Sequence, residues 1–83
     1  MNARIRELIA LHADLPVEID AVADEADLYR IGMRSFACVR LMLALEEAFS
    51  FEFPEELLTR DTFCSVASIE KTVAALAEGV LAA

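Results

Sequence analysis

The chain has 83 residues, of which 58% are hydrophobic and 27% charged, and its formal net charge at pH 7 is −8. This length predicts one domain spanning residues 1–83, and the composition is typical of a folded rather than a disordered chain. The acidic balance argues against nucleic acid or an anionic membrane as a partner, because both attract lysine and arginine. It favours partner proteins with basic docking surfaces.

The amino-terminal segment has the apolar spacing of an amphipathic helix. Ile5, Leu8 and Ile9 recur at intervals of three and four residues, which predicts a helix from Asn2 to Ala13 with Asn2 as its N-cap. Pro16 then disfavours a helical residue before it, so we expect the helix to end there.

Residues 14–32 form a long connection that is rich in carboxylates. Connections of this length are uncommon in small domains and are often functional. Gly32 is expected to act as a flexible joint before the next helix. Five spaced apolar residues are expected to anchor the connection to the core: Val17, Ile19, Val22, Leu28 and Ile31.

The segment Ser35–Phe49 predicts a helix with two apolar stripes. The core stripe is expected to contain Cys38, Leu41, Met42, Leu45 and Phe49. The second stripe, Phe36, Val39 and Leu43, is flanked by Arg40, Glu46 and Glu47. A small domain has little left with which to bury a second stripe, so it is either a partner-binding face or covered by the 14–32 connection. Ser35 at the helix start is a candidate N-cap, whose hydroxyl would accept from the backbone N–H of Ala37 or Cys38.

The last third of the chain predicts two further helices. Pro54 followed by two glutamates favours a short helix near Glu55 to Thr59, after a short extended segment from Phe51. Phe63 is expected to anchor the next link, and Ser65 to cap the last helix. Gly79 should weaken the end of that helix. Its apolar stripe is Val66, Ile69, Val73, Leu76 and Val80. The predicted fold is therefore all-α, with three longer helices, one short helix and a long loop between helices 1 and 2.

Few residues in the chain suit catalysis or metal binding. Cys38 and Cys64 have no metal-ligand spacing, and His12 is the only histidine. We therefore expect buried thiols without a disulfide, a histidine on a helix surface or edge, no metal site and no enzymatic activity. No secretory signal or membrane-spanning run is evident, so we expect a cytoplasmic protein. We also expect a monomer.

The residues around Ser35 resemble the acyl carrier protein signature. Asp27-Leu28, Ile31-Gly32-Met33 and Ser35-Phe36 match its order of residues, LMLALEEAF matches its second helix, and FEFP resembles the turn before its short third helix. The resemblance extends roughly from Asp27 to Val73. It implies an acyl-carrier-protein-like four-helix bundle in which a phosphopantetheinyl transferase attaches 4′-phosphopantetheine to Ser35. It also implies that partner enzymes dock on Met33, Arg34, Phe36, Val39, Arg40 and Leu43.

The signature is altered at positions that partner enzymes read. Arg34 stands where an aspartate is usual, Phe36 where a leucine is usual, and Arg40 where fatty-acid carriers have an acid. The run from Gly32 to Ile69 is closer to small standalone bacterial carriers served by seryl-tRNA-synthetase-like amino acid:carrier protein ligases. This resemblance implies an aminoacyl group held as a thioester. The alternatives are an acyl carrier for fatty-acid or polyketide-type synthesis, and an unmodified helical interaction module.

Overall fold

A computed structural model describes residues 1–77, and these form an all-helical domain without a β-strand. The α-helices are α1 (Asn2–His12), α2 (Leu28–Ile31), α3 (Ser35–Phe49) and α4 (Val66–Ala77). Two 3₁₀ turns, Ile19–Ala21 and Glu55–Leu57, lie in the connections. The predicted fold class is confirmed, although the segment near Glu55 forms a 3₁₀ turn and the short α-helix lies within the predicted loop. The predictions for Gly79 and Val80 lie outside the described residues.

The core lies where α1, α3 and α4 pack against one another. Each of these helices contributes a stripe of branched side chains at helical spacing, which is why the hydrophobic pattern predicted them. In α4 the predicted cap is confirmed: the Ser65 Oγ accepts from the backbone N–H of Ser68 at 3.0 Å. The largest fully buried side chains are Ile5, Ile9, Leu28, Leu41, Leu45, Val66, Ile69 and Val73.

Hydrogen bonds hold the 14–32 connection against α1 and α4. Arg6 on α1 donates to the carbonyl of Ile19 at 2.9 Å and to the carboxylate of Asp24 at 2.5 Å. This hydrogen bond lowers the pKa of Asp24 below its ordinary value. The backbone N–H of Ala67 in α4 donates to the carbonyl of Asp24 at 2.8 Å, and that of Leu28 donates to the carbonyl of Cys64, just before α4, at 2.7 Å. The connection is therefore a fixed part of the fold that leads the chain to the start of α3.

Two expectations about the first third of the chain are wrong. Asn2 lies within α1 rather than capping it, and its side-chain oxygen accepts from the Arg6 Nε at 3.1 Å. The guanidinium therefore takes the oxygen that a cap would offer to the backbone. Val17 is exposed and does not anchor the connection, whereas Val22 and Leu28 are buried as expected.

Gly32 fixes the entry to α3 instead of acting as a flexible joint. Its φ is +140°, a conformation that side chains with a Cβ rarely adopt. A Cβ at this position would also lie 3.1 Å from the Cδ of Pro16. Just upstream, the Asp27 carboxylate caps α2 by accepting from the N–H groups of Tyr29 and Arg30. The Asp-Leu and Gly positions of the sequence motif therefore set the direction in which α3 starts.

Candidate functional site

Ser35 is the first residue of α3 and its side chain is exposed. The residue before it, Arg34, is extended and occupies the N-cap position. The predicted capping role of Ser35 is therefore wrong, because a serine one position inside the helix no longer faces the free backbone N–H groups. Within residues 1–77 its hydroxyl has no hydrogen-bond partner. The result is an accessible hydroxyl at the positive end of a 15-residue helix, a position that favours an added negative charge.

A groove of about 290 Å³ opens beside Ser35. One wall is α3, and the other comes from α2 and from the segment between the second 3₁₀ turn and α4. The groove is apolar over much of its surface, but Ser35, Tyr29 and Arg60 give it polar groups. The lining residues are Tyr29, Ser35, Cys38, Val39, Met42, Leu58, Thr59, Arg60 and Phe63.

The wall of this groove contains an ordered set of contacts around Tyr29. The guanidinium carbon of Arg60 lies 4.1 Å from the centroid of the Tyr29 ring, a cation–π distance. The Tyr29 hydroxyl lies 3.6 Å from the Cys38 Sγ. Burial, and then the contact with Cys38, raises the pKa of Tyr29 well above its ordinary value. Burial also raises the pKa of the Cys38 thiol. Both groups are therefore neutral at physiological pH, and Cys38 is not an activated nucleophile.

The second apolar stripe of α3 is exposed rather than covered by the connection. The exposed fractions are 74% for Phe36, 51% for Val39 and 55% for Leu43, and we call these three residues the α3 strip. The guanidinium of Arg40 lies 5.2 Å from the centroid of the Phe36 ring and so borders the strip. Of the two alternatives for the second stripe, cover by the 14–32 connection is therefore wrong, and within the described chain the strip remains available to a partner.

The other predicted docking residues divide between surface and core. Arg34 and Arg40 are exposed beside the strip. Met33 is only 3% exposed, so its predicted place on the docking surface is corrected. Its backbone N–H donates to the carbonyl of Leu28 at 2.9 Å, and this turn directs its side chain into the core. Glu46 was predicted to flank the second stripe, but its carboxylate accepts from the backbone N–H of Phe53 at 2.8 Å and secures the turn after α3.

Sequence reasoning missed part of the groove wall, namely Tyr29, Leu58 and Arg60. Tyr29 is the only tyrosine, and Leu58 follows the short turn at an apolar position that the core does not bury. Neither observation shows from the sequence alone that Tyr29 or Leu58 lies near Ser35, because the fold brings these segments together.

Other chemistry is sparse in residues 1–77. His12 is half-buried at the end of α1, and the two cysteines are free and half-buried. No cluster of three or more metal-ligating side chains occurs in this part of the chain. None of its helices has the length and apolar character needed to cross a bilayer.

Comparisons with known proteins agree with this geometry. Residues 3–79 match the phosphopantetheine attachment site family. Over the full length of both chains, the sequence is 53% identical to an aminoacyl carrier protein of Agrobacterium fabrum (strain C58 / ATCC 33970). The fold matches a chain in the crystal structure of an engineered Bradyrhizobium japonicum glycine:carrier protein ligase complexed with a carrier protein from Agrobacterium tumefaciens and AMP. That match has a TM-score of 0.87 and 55% identity and covers 89% of this chain and 99% of the other.

A more distant structural relative comes from the complex of Bradyrhizobium japonicum glycine:carrier protein ligase with a glycylated carrier protein. Its TM-score is 0.74, with 30% identity, over 86% of this chain and 95% of that chain. The family match spans most of the sequence, and the chain therefore belongs to the phosphopantetheine attachment site family. Proteins of this family are carriers with covalently attached 4′-phosphopantetheine.

Proposed function

We propose that this protein is an aminoacyl carrier that bears 4′-phosphopantetheine on Ser35 and receives an amino acid from an amino acid:carrier protein ligase. The observation that carries the attachment site is the exposed Ser35 hydroxyl at the start of α3, without a partner in the described chain and beside an open groove. The observation that favours an aminoacyl cargo is the full-length 53% identity with an aminoacyl carrier protein.

The residues around Ser35 suit the attached group. In the modification, the Ser35 Oγ forms a bond to the phosphorus of the pantetheine phosphate of coenzyme A. The bond from that phosphorus to the leaving adenosine 3′,5′-bisphosphate breaks, and the hydroxyl proton passes to a base of the transferase. The positive end of α3 stabilises the new phosphodiester. The attached group supplies the thiol that holds the amino acid as a thioester.

The chain's own part is positioning and recognition. The groove offers the arm an apolar surface with Tyr29 and Arg60 as polar contacts. The α3 strip gives partner enzymes an apolar anchor next to the modified serine. We also propose that the protein is a cytoplasmic monomer. It is not itself an enzyme in this proposal, because the transferase and the ligase supply the chemistry.

Intact-mass measurement tests the attachment site. The protein is incubated with coenzyme A, magnesium and a broad-specificity transferase, and we expect a gain of one phosphopantetheine that disappears in Ser35→Ala. Ser50→Gly is the matched control, because it removes an exposed serine at the other end of α3. A gain that persists in Ser35→Ala would overturn the site, and no gain in the parent would favour the unmodified interaction module.

A second incubation tests the cargo. The modified protein is mixed with ATP, glycine or alanine, and the engineered Bradyrhizobium japonicum ligase, and we expect a further gain of one amino acid residue. The gain should be absent from the unmodified protein and should disappear with hydroxylamine, which cleaves thioesters. Loading by a fatty-acyl ligase in place of the amino acid ligase would reassign the cargo to an acyl group.

A further inference from the structure

A second and larger groove lies between α1 and α3, away from Ser35. Its volume is about 640 Å³, and Leu8, Leu11, Leu43 and Ala44 contribute its apolar part. Leu11 is 69% exposed, although the helix that contains it buries Ile5, Leu8 and Ile9. Because Leu11 is so exposed, it does not contribute to the core. It faces the same groove as the exposed Leu43 on α3.

This groove is continuous with the α3 strip. Leu43 belongs to both, and Arg40 lines the groove while bordering Phe36. A smaller cavity of about 90 Å³ on the other side of Arg40 is lined by Arg34 and Phe36 among others. The apolar surface therefore runs from Phe36 along α3 and across to Leu11 on α1.

The charges beside α3 differ in sign from those of the rest of the molecule. We call the groove beside Ser35, the α1–α3 groove and this smaller cavity the three grooves. They are lined by only two carboxylates, Asp14 and Glu47, and by four arginines, Arg4, Arg34, Arg40 and Arg60. The remainder of the chain holds three of the seven basic residues and thirteen of the fifteen acids, and one of those acids, Glu7, forms an ion pair with Arg4. A locally positive surface on an acidic protein favours a partner surface that presents carboxylates.

We propose that the amino acid-loading ligase docks across α3 onto α1. It seats an apolar segment bordered by carboxylates between Leu11 and Leu43, with the carboxylates facing Arg4 and Arg40. The inference rests on the proposed function and extends it, because it assigns a binding role to α1 as well as to the helix that begins at Ser35. Leu11 supplies the apolar anchor on the α1 side. Arg4 forms an exposed ion pair with Glu7 on the same helix and supplies the charge through its remaining N–H donors.

The test compares initial loading rates of the phosphopantetheine-bearing proteins at sub-saturating carrier concentration, with the engineered Bradyrhizobium japonicum ligase. Leu11→Ala should load about tenfold more slowly, as expected for loss of one interface anchor. Val17→Ala is the matched control, because Val17 is an exposed apolar residue outside the three grooves and should load like the parent. Circular dichroism should show the same helix content in all of them.

Charge reversal tests whether Arg4 faces carboxylates of the ligase. Arg4→Glu should load about fivefold more slowly at low salt, and the difference should vanish near 1 M salt, where the screening length falls to about 3 Å. Lys71→Glu makes the same change of charge on α4, outside the grooves, and should have little effect at either salt concentration.

The outcomes separate this inference from the proposed function. A modified parent that is not loaded at all contradicts the proposed function and, with it, this interface. A parent that is loaded, with Leu11→Ala and Arg4→Glu as fast as their controls, leaves the proposed function intact and overturns the role of α1. Equal slowing by Arg4→Glu and Lys71→Glu would indicate a general effect of net charge rather than a docking groove.

Discussion

The two faces of α3 have similar side chains but different surroundings. Leu41 and Leu45 are fully buried against α1 and α4, whereas Leu43 lies between them in the sequence and is more than half exposed. Successive residues of a helix point about 100° apart, so a leucine two positions from a core leucine faces the opposite side. Residue type therefore does not distinguish a stabilising leucine from a binding one, and the neighbouring helices decide which it is.

Truncating one leucine on each face gives the strongest test that only one face of α3 stabilises the core. Leu45→Ala should lower the free energy of unfolding by about 2–5 kcal/mol, because it leaves a cavity in the core. Leu43→Ala should lower it by about 0.5 kcal/mol or less, because water already surrounds much of that side chain. Urea unfolding followed by circular dichroism measures both. Similar losses for the two variants would contradict the assignment of separate faces.

The next largest effect is expected from truncation in the α3 strip. This change should lower the rate of loading by the ligase rather than the stability of the fold. Phe36→Ala should slow loading by the ligase roughly tenfold at sub-saturating carrier, since an interface anchor is typically worth more than 1 kcal/mol. Its free energy of unfolding should stay close to that of the parent, because the ring is exposed.

Phe36→Leu serves as the conservative control for this prediction. A leucine keeps an apolar anchor at the same position and should restore most of the loading rate. If Phe36→Ala loads as fast as the parent, the strip is not a docking surface. If Phe36→Leu is as slow as Phe36→Ala, the aromatic ring and its contact with Arg40 are needed in place of general apolar surface.

Much of the fold could be predicted because the helices have regular patterns. The bounds of α3 follow from its apolar spacing, and the cap at Ser65 follows from a local preference of serine. The prediction of Ser35 as the attachment site rests on a motif whose other members, Asp27 and Gly32, have local structural roles in the turn before α3.

The remaining features depend on contacts between distant parts of the chain. The 14–32 connection is held by Arg6 and by the carbonyl of Cys64, and no local pattern indicates either partner. The resemblance implied that Met33 lies on the docking surface, but the turn at Gly32 directs it inward. The groove beside Ser35 and the α1–α3 groove each combine residues from separate helices, so their linings become visible only in the folded structure.

The end of α3 offers a smaller change that touches neither face. Ser50 terminates the helix in the left-handed conformation, with φ 57° and ψ 53°, and its backbone N–H and that of Phe51 both donate to the carbonyl of Glu46. Glycine adopts this conformation without the steric penalty of a Cβ, but it loses more entropy on folding, so Ser50→Gly should stabilise the protein by about 0.5–1 kcal/mol. For a domain of this size that corresponds to a rise of about 2–8 °C in the melting temperature. Ser50→Ala removes the same hydroxyl while keeping the Cβ and should give no such gain, and an equal gain would contradict the backbone explanation. Loading of Ser50→Gly should match the parent, because the change strengthens the helix that both faces share without altering the α3 strip.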